Sequence, residues 1–174
     1  MKLEAFNLRG KIAEHRISFD LCTPLWEDFD NSKMNALNAK WRDIKFLNEL
    51  GTDISDDVKA LPNDKGGLYI FVIKCPILLS TSEYLAYIGR AQLTQSHSLR
   101  VRCRKYLYEY CSETGRPKIT TMIGMWGKYL HLRYAVIDEN DDTVSIEAGL
   151  INSILPPFND EIPNKIIRDA VAAF

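Results

Sequence analysis

The sequence predicts an α+β fold: a small mixed or antiparallel three-stranded sheet flanked by helices, behind an N-terminal α/β extension. Three observations predict it. Two strand-like runs stand close enough to pair as a hairpin, a third follows a helical stretch, and helical apolar spacing fills the rest in the order β-β-α-β-α-α. At 174 residues the chain is the size of one domain. A change of texture divides it into an extension, residues 1–62, and a main unit, residues 63–174.

In the extension, Ile17, Phe19 and Leu21 alternate with polar neighbours and predict a strand. Met34, Leu37, Trp41, Ile44, Leu47 and Leu50 recur every three or four residues and predict a helix, with Ser32 at the N-cap and Gly51 at the C-cap. Gly51 to Gly66, rich in Asp, Asn, Pro and Gly, reads as a connector. In the main unit, Gly67 to Ile73 and Tyr84 to Gly89 predict a β-hairpin. Leu99, Cys103, Tyr106, Leu107 and Tyr110 define one face of the helix that follows. Leu130, Leu132, Tyr134 and Val136 mark a third strand by their period of two. After the acidic turn Asp138–Asp142, a helix should run up to Pro156-Pro157, because proline disfavours helix at the residue before it. A last helix starting at Pro163 carries Ile166, Ile167, Ala170, Val171 and Phe174 on one face.

Composition sets the class. With 46% hydrophobic and 26% charged residues the chain has the make-up of an ordinary globular protein. It has no apolar run of spanning length and no signal-peptide pattern at its start, so a cytoplasmic protein without a membrane span is expected. Cys22, Cys75, Cys103 and Cys111 form no CxxC pair and no zinc-like spacing, and are expected to stay reduced. The net charge is −1, but it is unevenly distributed. Nine Lys/Arg against two acids give residues 90–133 a charge of +7, whereas residues 134–174 carry two basic and eight acidic side chains. That segregation suits a basic binding face on an acidic body, and equally a solvated Arg-rich helix.

The motifs are more specific. Gly67-Leu68-Tyr69 begins one strand and Tyr87-Ile88-Gly89 ends the next. Leu99-Arg100-Val101-Arg102 opens a helix, Tyr106 follows one turn later, Glu147 falls in the helix after the third strand, and Asn159, closing Pro157-Phe158-Asn159, comes twelve residues on. This series, from Gly67 to Asn159, resembles the GIY-YIG nuclease family, with Leu68 in place of the first Ile. The resemblance implies a GIY-YIG-like fold and a metal-dependent endonuclease cutting DNA. It puts Tyr69, Tyr87, Arg102, Tyr106 and Glu147 in the catalytic set, Glu147 as the ligand of Mg²⁺ (or Mn²⁺), and Gly67, Gly89 and Asn159 in supporting places. Arg90 stands where the family often carries Lys. Arg90, Arg100, Arg104 and Lys105 are the candidates for nucleic-acid contact, although Arg100 and Arg104 suit solvent as well.

The residue types fit that chemistry. Phosphodiester hydrolysis needs an activated water and stabilisation of charge on phosphorus and on the leaving oxygen. A hard carboxylate such as Glu147 suits Mg²⁺, and an arginine fork suits phosphate oxygens. A tyrosine acts as base at neutral pH only with help from a nearby positive charge, and the resemblance makes Tyr69 the candidate base or water-positioner, with Tyr87 beside it. Tyr87 and Tyr106 suit a packed core as well as a site. The longer segment Ala91–Ser98, with Gln92, Thr94, Gln95, Ser96 and His97, reads either as a DNA-reading loop or as an idle one. The possible partners are DNA, a second copy in a homodimer, or an activating protein. The competing readings are a nuclease subunit active only with its partner and a nucleic-acid-binding module that does not cut.

Overall fold

In a computed structural model of the chain, residues 5–32, 34, 40–78 and 81–173 are described. The elements run α1 (Ala5–Glu14), α2 (Thr23–Glu27), β1 (Arg42–Lys45), α3 (Asp56–Lys59), β2 (Gly67–Lys74) and β3 (Glu83–Ala91). They continue with α4 (Leu99–Cys111), α5 (Pro117–Trp126), a 3₁₀ turn (Gly127–Tyr129), β4 (Leu130–Val136), α6 (Asn140–Ile154) and α7 (Lys165–Ala172). The strands form one antiparallel four-stranded sheet in the order β1-β4-β2-β3. The fold is therefore α+β.

Strand β2 lies between β3 and β4 and is buried on both faces, which explains why its sequence is almost continuously apolar. The period of two sorts its side chains. Tyr69, Phe71 and Ile73 join a core closed by Leu99, Cys103 and Tyr106 of α4 and by Ile119, Met122 and Ile123 of α5. Leu68 on the opposite face joins Ile146, Leu150 and Ile151 of α6. Helices thus cover both faces of the sheet.

The hairpin, α4, the third strand and the helix ending before the proline pair form as the sequence predicts. The C-cap of α6, Leu155, takes a left-handed conformation (φ 52°) just before Pro156. The last helix begins at Lys165 rather than Pro163, because the Asn164 side chain accepts from the Ile166 and Ile167 amides.

Four expectations need correction. The sheet has a fourth strand where three were expected. That strand, β1, comes from the stretch read as a helix between Ser32 and Gly51; Leu37 of the same stripe lies outside the described residues. Arg42–Lys45 pairs along β4, and Asp43 bonds across to His131 and Arg133. Tertiary pairing here overrides a three-to-four spacing that a short strand also satisfies. Gly51 (φ 71°) belongs to a tight turn in which Asn48 holds the Thr52 amide. Ile17, Phe19 and Leu21 form no strand: the segment is irregular and Phe19 and Leu21 are exposed. Three alternating residues are too few without a neighbouring strand, and the sheet edges belong to β1 and β3. The connector contains a short helix, α3, which buries Val58, and also holds the buried Leu61 just after it. Finally, α5 was absent from the predicted order, although Pro117 at its start and the spacing of Ile119, Met122 and Ile123 signal it.

Candidate active site

The site grows from a glycine. Tyr69 on β2 pairs across the hairpin with Gly89 on β3. A Cβ at Gly89 would stand 2.6 Å from the Tyr69 ring, so the absence of a side chain there is what lets the ring lie over β3. Gly67 has a different constraint. Its φ of 150° is open only to glycine, and a Cβ would collide with the Ala135 carbonyl.

Helix α4 brings the second wall. Ser98 caps it by accepting from the Val101 amide, and Leu99, Cys103 and Tyr106 anchor its inner face. Arg102 and Tyr106, four residues apart, project from the same side, with the guanidinium 5.2 Å from the Tyr106 ring centre. The three tyrosine hydroxyls form a chain. Tyr69 and Tyr106 are 2.7 Å apart, and Tyr106 donates to Tyr87 at 3.1 Å. Arg102 Nε donates to the Tyr69 hydroxyl at 3.2 Å. Arg116, just before α5, donates to the Tyr87 hydroxyl at 3.1 Å and to that of Tyr106 at 3.5 Å.

All three tyrosines are buried, Tyr87 at 4% exposure, but of the three only Tyr87 lines the adjoining cleft of about 580 Å³, together with Arg90, Arg102, Arg116, His97 and Glu147. Burial pushes the Tyr69 phenol well above its ordinary range, against the pull of Arg102, and does the same at Tyr106. Both are therefore neutral hydrogen-bonding groups at physiological pH, and neither is a phenolate. Burial pushes Arg102 and Arg116 down, but the surrounding tyrosines outweigh it and both stay charged.

Across the cleft, Glu147 on α6 accepts from Nη1 of Arg90 on β3. Burial raises its carboxyl, and the Arg90 charge and hydrogen bond only partly offset that. Among the described residues, no three His, Cys, Asp or Glu side chains cluster as metal ligands. Glu147 is instead a single hard oxygen donor at a cleft wall. That donor set fits a cation of the Mg²⁺ kind, which keeps several waters, and does not fit zinc.

Asn159 acts on the backbone. As an edge strand, β3 leaves the Ile88 amide and carbonyl without a strand partner, and the Asn159 side chain satisfies both, at 3.0 and 2.9 Å. This bond, with Phe158 N to Ala86 O at 3.1 Å, holds Asp160 and Glu161 at the cleft rim. The loop 91–98 is also tied down. Asn140 accepts from Leu93 N at 2.8 Å and donates to Leu93 O at 3.0 Å, and Gln92, Thr94 and His97 line the cleft.

The structure therefore brings Tyr87, Arg90, Arg102 and Glu147 to one cleft, with Tyr69 and Tyr106 buried behind Tyr87 and Arg102 and with Gly89 and Asn159 shaping it. It does not gather Arg100, Arg104 and Lys105 there. Arg100 Nε donates to the Leu61 carbonyl at 2.5 Å, and all three line a separate groove on the outer side of α4. Arg116 was counted among the basic residues in sequence but not singled out, because only the docking of α5 brings it to the tyrosines. No protein-family model, curated protein or solved structure matches the chain.

Proposed function

We propose that this protein is a divalent-metal-dependent endonuclease of the GIY-YIG type that hydrolyses DNA phosphodiester bonds in the cleft between Tyr87 and Glu147. The observation that carries the reading is that Tyr87, Arg102 and Glu147, far apart in sequence, line one cleft, with Tyr69 and Tyr106 hydrogen-bonded behind Tyr87 and Arg102. Arg102 binds a non-bridging phosphate oxygen through its planar fork. Tyr87 holds the attacking water, and the buried Tyr106 and Tyr69 fix its orientation through their hydroxyl chain. Glu147 would hold Mg²⁺ or Mn²⁺, and Asp160 and Glu161 line the same cleft. A cation bound there supplies Lewis acidity and charge neutralisation at the phosphate. Arg90 leaves the carboxylate and turns to the incoming phosphate, so the ion pair of the free chain keeps Glu147 in place until substrate arrives.

That ion pair also favours a second form of the reading, in which a partner protein must open the site before the nuclease is active. A homodimer would serve cutting of both strands. A cytoplasmic location is consistent with the described residues, where no helix is long and apolar enough to cross a membrane.

The test is cleavage of plasmid, linear and branched DNA with Mg²⁺ or Mn²⁺ by the wild-type chain beside Glu147→Ala and Arg102→Ala. Removing either group should lower cleavage by about 10²- to 10³-fold in folded protein, the usual scale for losing one charge-stabilising group. A folded wild-type chain that cuts none of these substrates, alone or with an isolated partner, would contradict the proposal.

A further inference from the structure

Arg116 lies outside the series of motifs, yet it is as closely bound to the tyrosine chain as Arg102 is. Its guanidinium sits 5.5 Å from the Tyr87 ring centre and 6.0 Å from that of Tyr106, the same ring that Arg102 overlies. It donates to the hydroxyl of Tyr87, the tyrosine that faces the cleft, and it lines that cleft itself. The Arg116 side chain retains 40% of its exposure.

The ion pairing of the two arginines is incomplete. Among the described residues no carboxylate lies within ion-pair distance of Arg102, and Arg116 reaches only Asp160, at 3.8 Å. The two guanidiniums also repel each other. Two cations held side by side by neutral hydroxyls and ring faces, with donors left over, form a fork for an anion with several acceptor oxygens. A carboxylate at 3.8 Å is loosely held and can be exchanged for a phosphate.

We propose that Arg116 is a second phosphate-contacting residue of the cleft, binding the DNA backbone jointly with Arg102 and releasing Asp160 when DNA enters. This rests on the nuclease reading, which names the ligand, and adds a residue that the motifs do not contain. Asp160 then acts as a stand-in for phosphate in the free protein. The bond from Arg116 to Tyr87 links backbone binding to the hydroxyl that orients water.

The test separates binding from cutting. Affinity for a labelled DNA duplex is measured in EDTA, so that nothing is cut, across a range of salt, for wild type, Arg116→Met, Arg116→Lys and Asp160→Asn. Loss of one phosphate contact makes the slope of log K against log salt shallower by about 0.9. The Met variant should show that change, with affinity lower by roughly tenfold at low salt. The Lys variant should keep the wild-type slope because it keeps the charge. Asp160→Asn, which removes the competing carboxylate, should bind a few times more tightly.

A folded Met variant with the wild-type slope overturns the proposal and confines Arg116 to holding Tyr87. If the Met variant does not fold, Asp160→Asn decides: unchanged or weaker binding overturns the proposal. Wild-type protein that cuts DNA while Arg116→Met keeps the wild-type slope leaves the nuclease reading intact and removes only this inference. Wild-type protein that neither binds nor cuts removes both.

Discussion

Two charged clusters, one across the sheet and one in the cleft beside β3, are wired in opposite ways. One crosses all four strands: Asp43 of β1, His131 and Arg133 of β4, Lys74 of β2 and Glu83 of β3. There Asp43 meets Lys74, His131 and Arg133, each at 2.7 Å, and Glu83 meets Arg133 at 2.5 Å and Lys74 at 3.1 Å. Both carboxylates and both strong cations find partners within the belt, which closes on itself. In the cleft, by contrast, Arg102 ends on a phenol and Arg116 holds its carboxylate at 3.8 Å, while Glu147 is paired with Arg90 at the cleft wall. Cross-strand charges in mutual contact stabilise a sheet. Charges left incompletely paired around a cavity suit a ligand. Pairing is what distinguishes the two places.

That contrast breaks most sharply at Arg102. Arg102→Ala should lower cleavage by about 10²- to 10³-fold. Its thermal midpoint should move little, since no carboxylate is left unpaired by the change. The opposite pattern is expected in the belt. Asp43→Asn should leave cleavage unchanged and lower stability by about 1 kcal/mol, a figure held down by solvent screening at a side chain one-third exposed. For a domain of this size that is about 2–4 °C in a melting curve.

The belt also sets an acid limit. Burial pushes the Asp43 carboxyl up, but the hydrogen bonds from Lys74, Arg133 and His131 outweigh it and bring it down to about 2 from the ordinary 3.8. A carboxyl depressed in the folded state contributes its full stability above pH 3.8 and loses it as pH falls towards 2. Acid unfolding of Asp43→Asn should lack the part of the transition that falls in that window. The smallest effect is expected on the outer side of α4. Arg104→Ala combined with Lys105→Ala should change cleavage at moderate salt by less than about threefold, since these side chains line another groove and Lys105 already pairs with Glu109.

How much of this was legible in sequence depended on how local each signal is. The hairpin, α4 and α6 could be read because apolar period, cap and proline agree within each segment. Glu147 and Arg102 could be named through the resemblance of the motif series from Gly67 to Asn159, not from any local pattern of their own. Strand β1 could not, since its four residues become a strand only by lying along β4, 85 or more positions away, and a short apolar spacing fits helix as easily. Arg116 was hidden for a similar reason: its partners Tyr87 and Tyr106 lie on other elements, and only the packing of α5 against α4 brings them together. The burial of the Tyr69 hydroxyl was also beyond sequence, because it depends on Gly89 opposite. It moves the water-positioning role that the family resemblance implies for Tyr69 to Tyr87, which lines the cleft as Tyr69 does not.

The most direct test is a crystal structure of the protein with a short DNA duplex and Ca²⁺, a cation that suits oxygen ligands. The expected result is a backbone phosphate between Arg102 and Arg116, Ca²⁺ on Glu147, and Arg90 drawn away from that carboxylate, with the belt around Asp43 unchanged. DNA lying along the outer groove of α4, with the Arg90–Glu147 pair intact and the cleft without phosphate, would contradict the account.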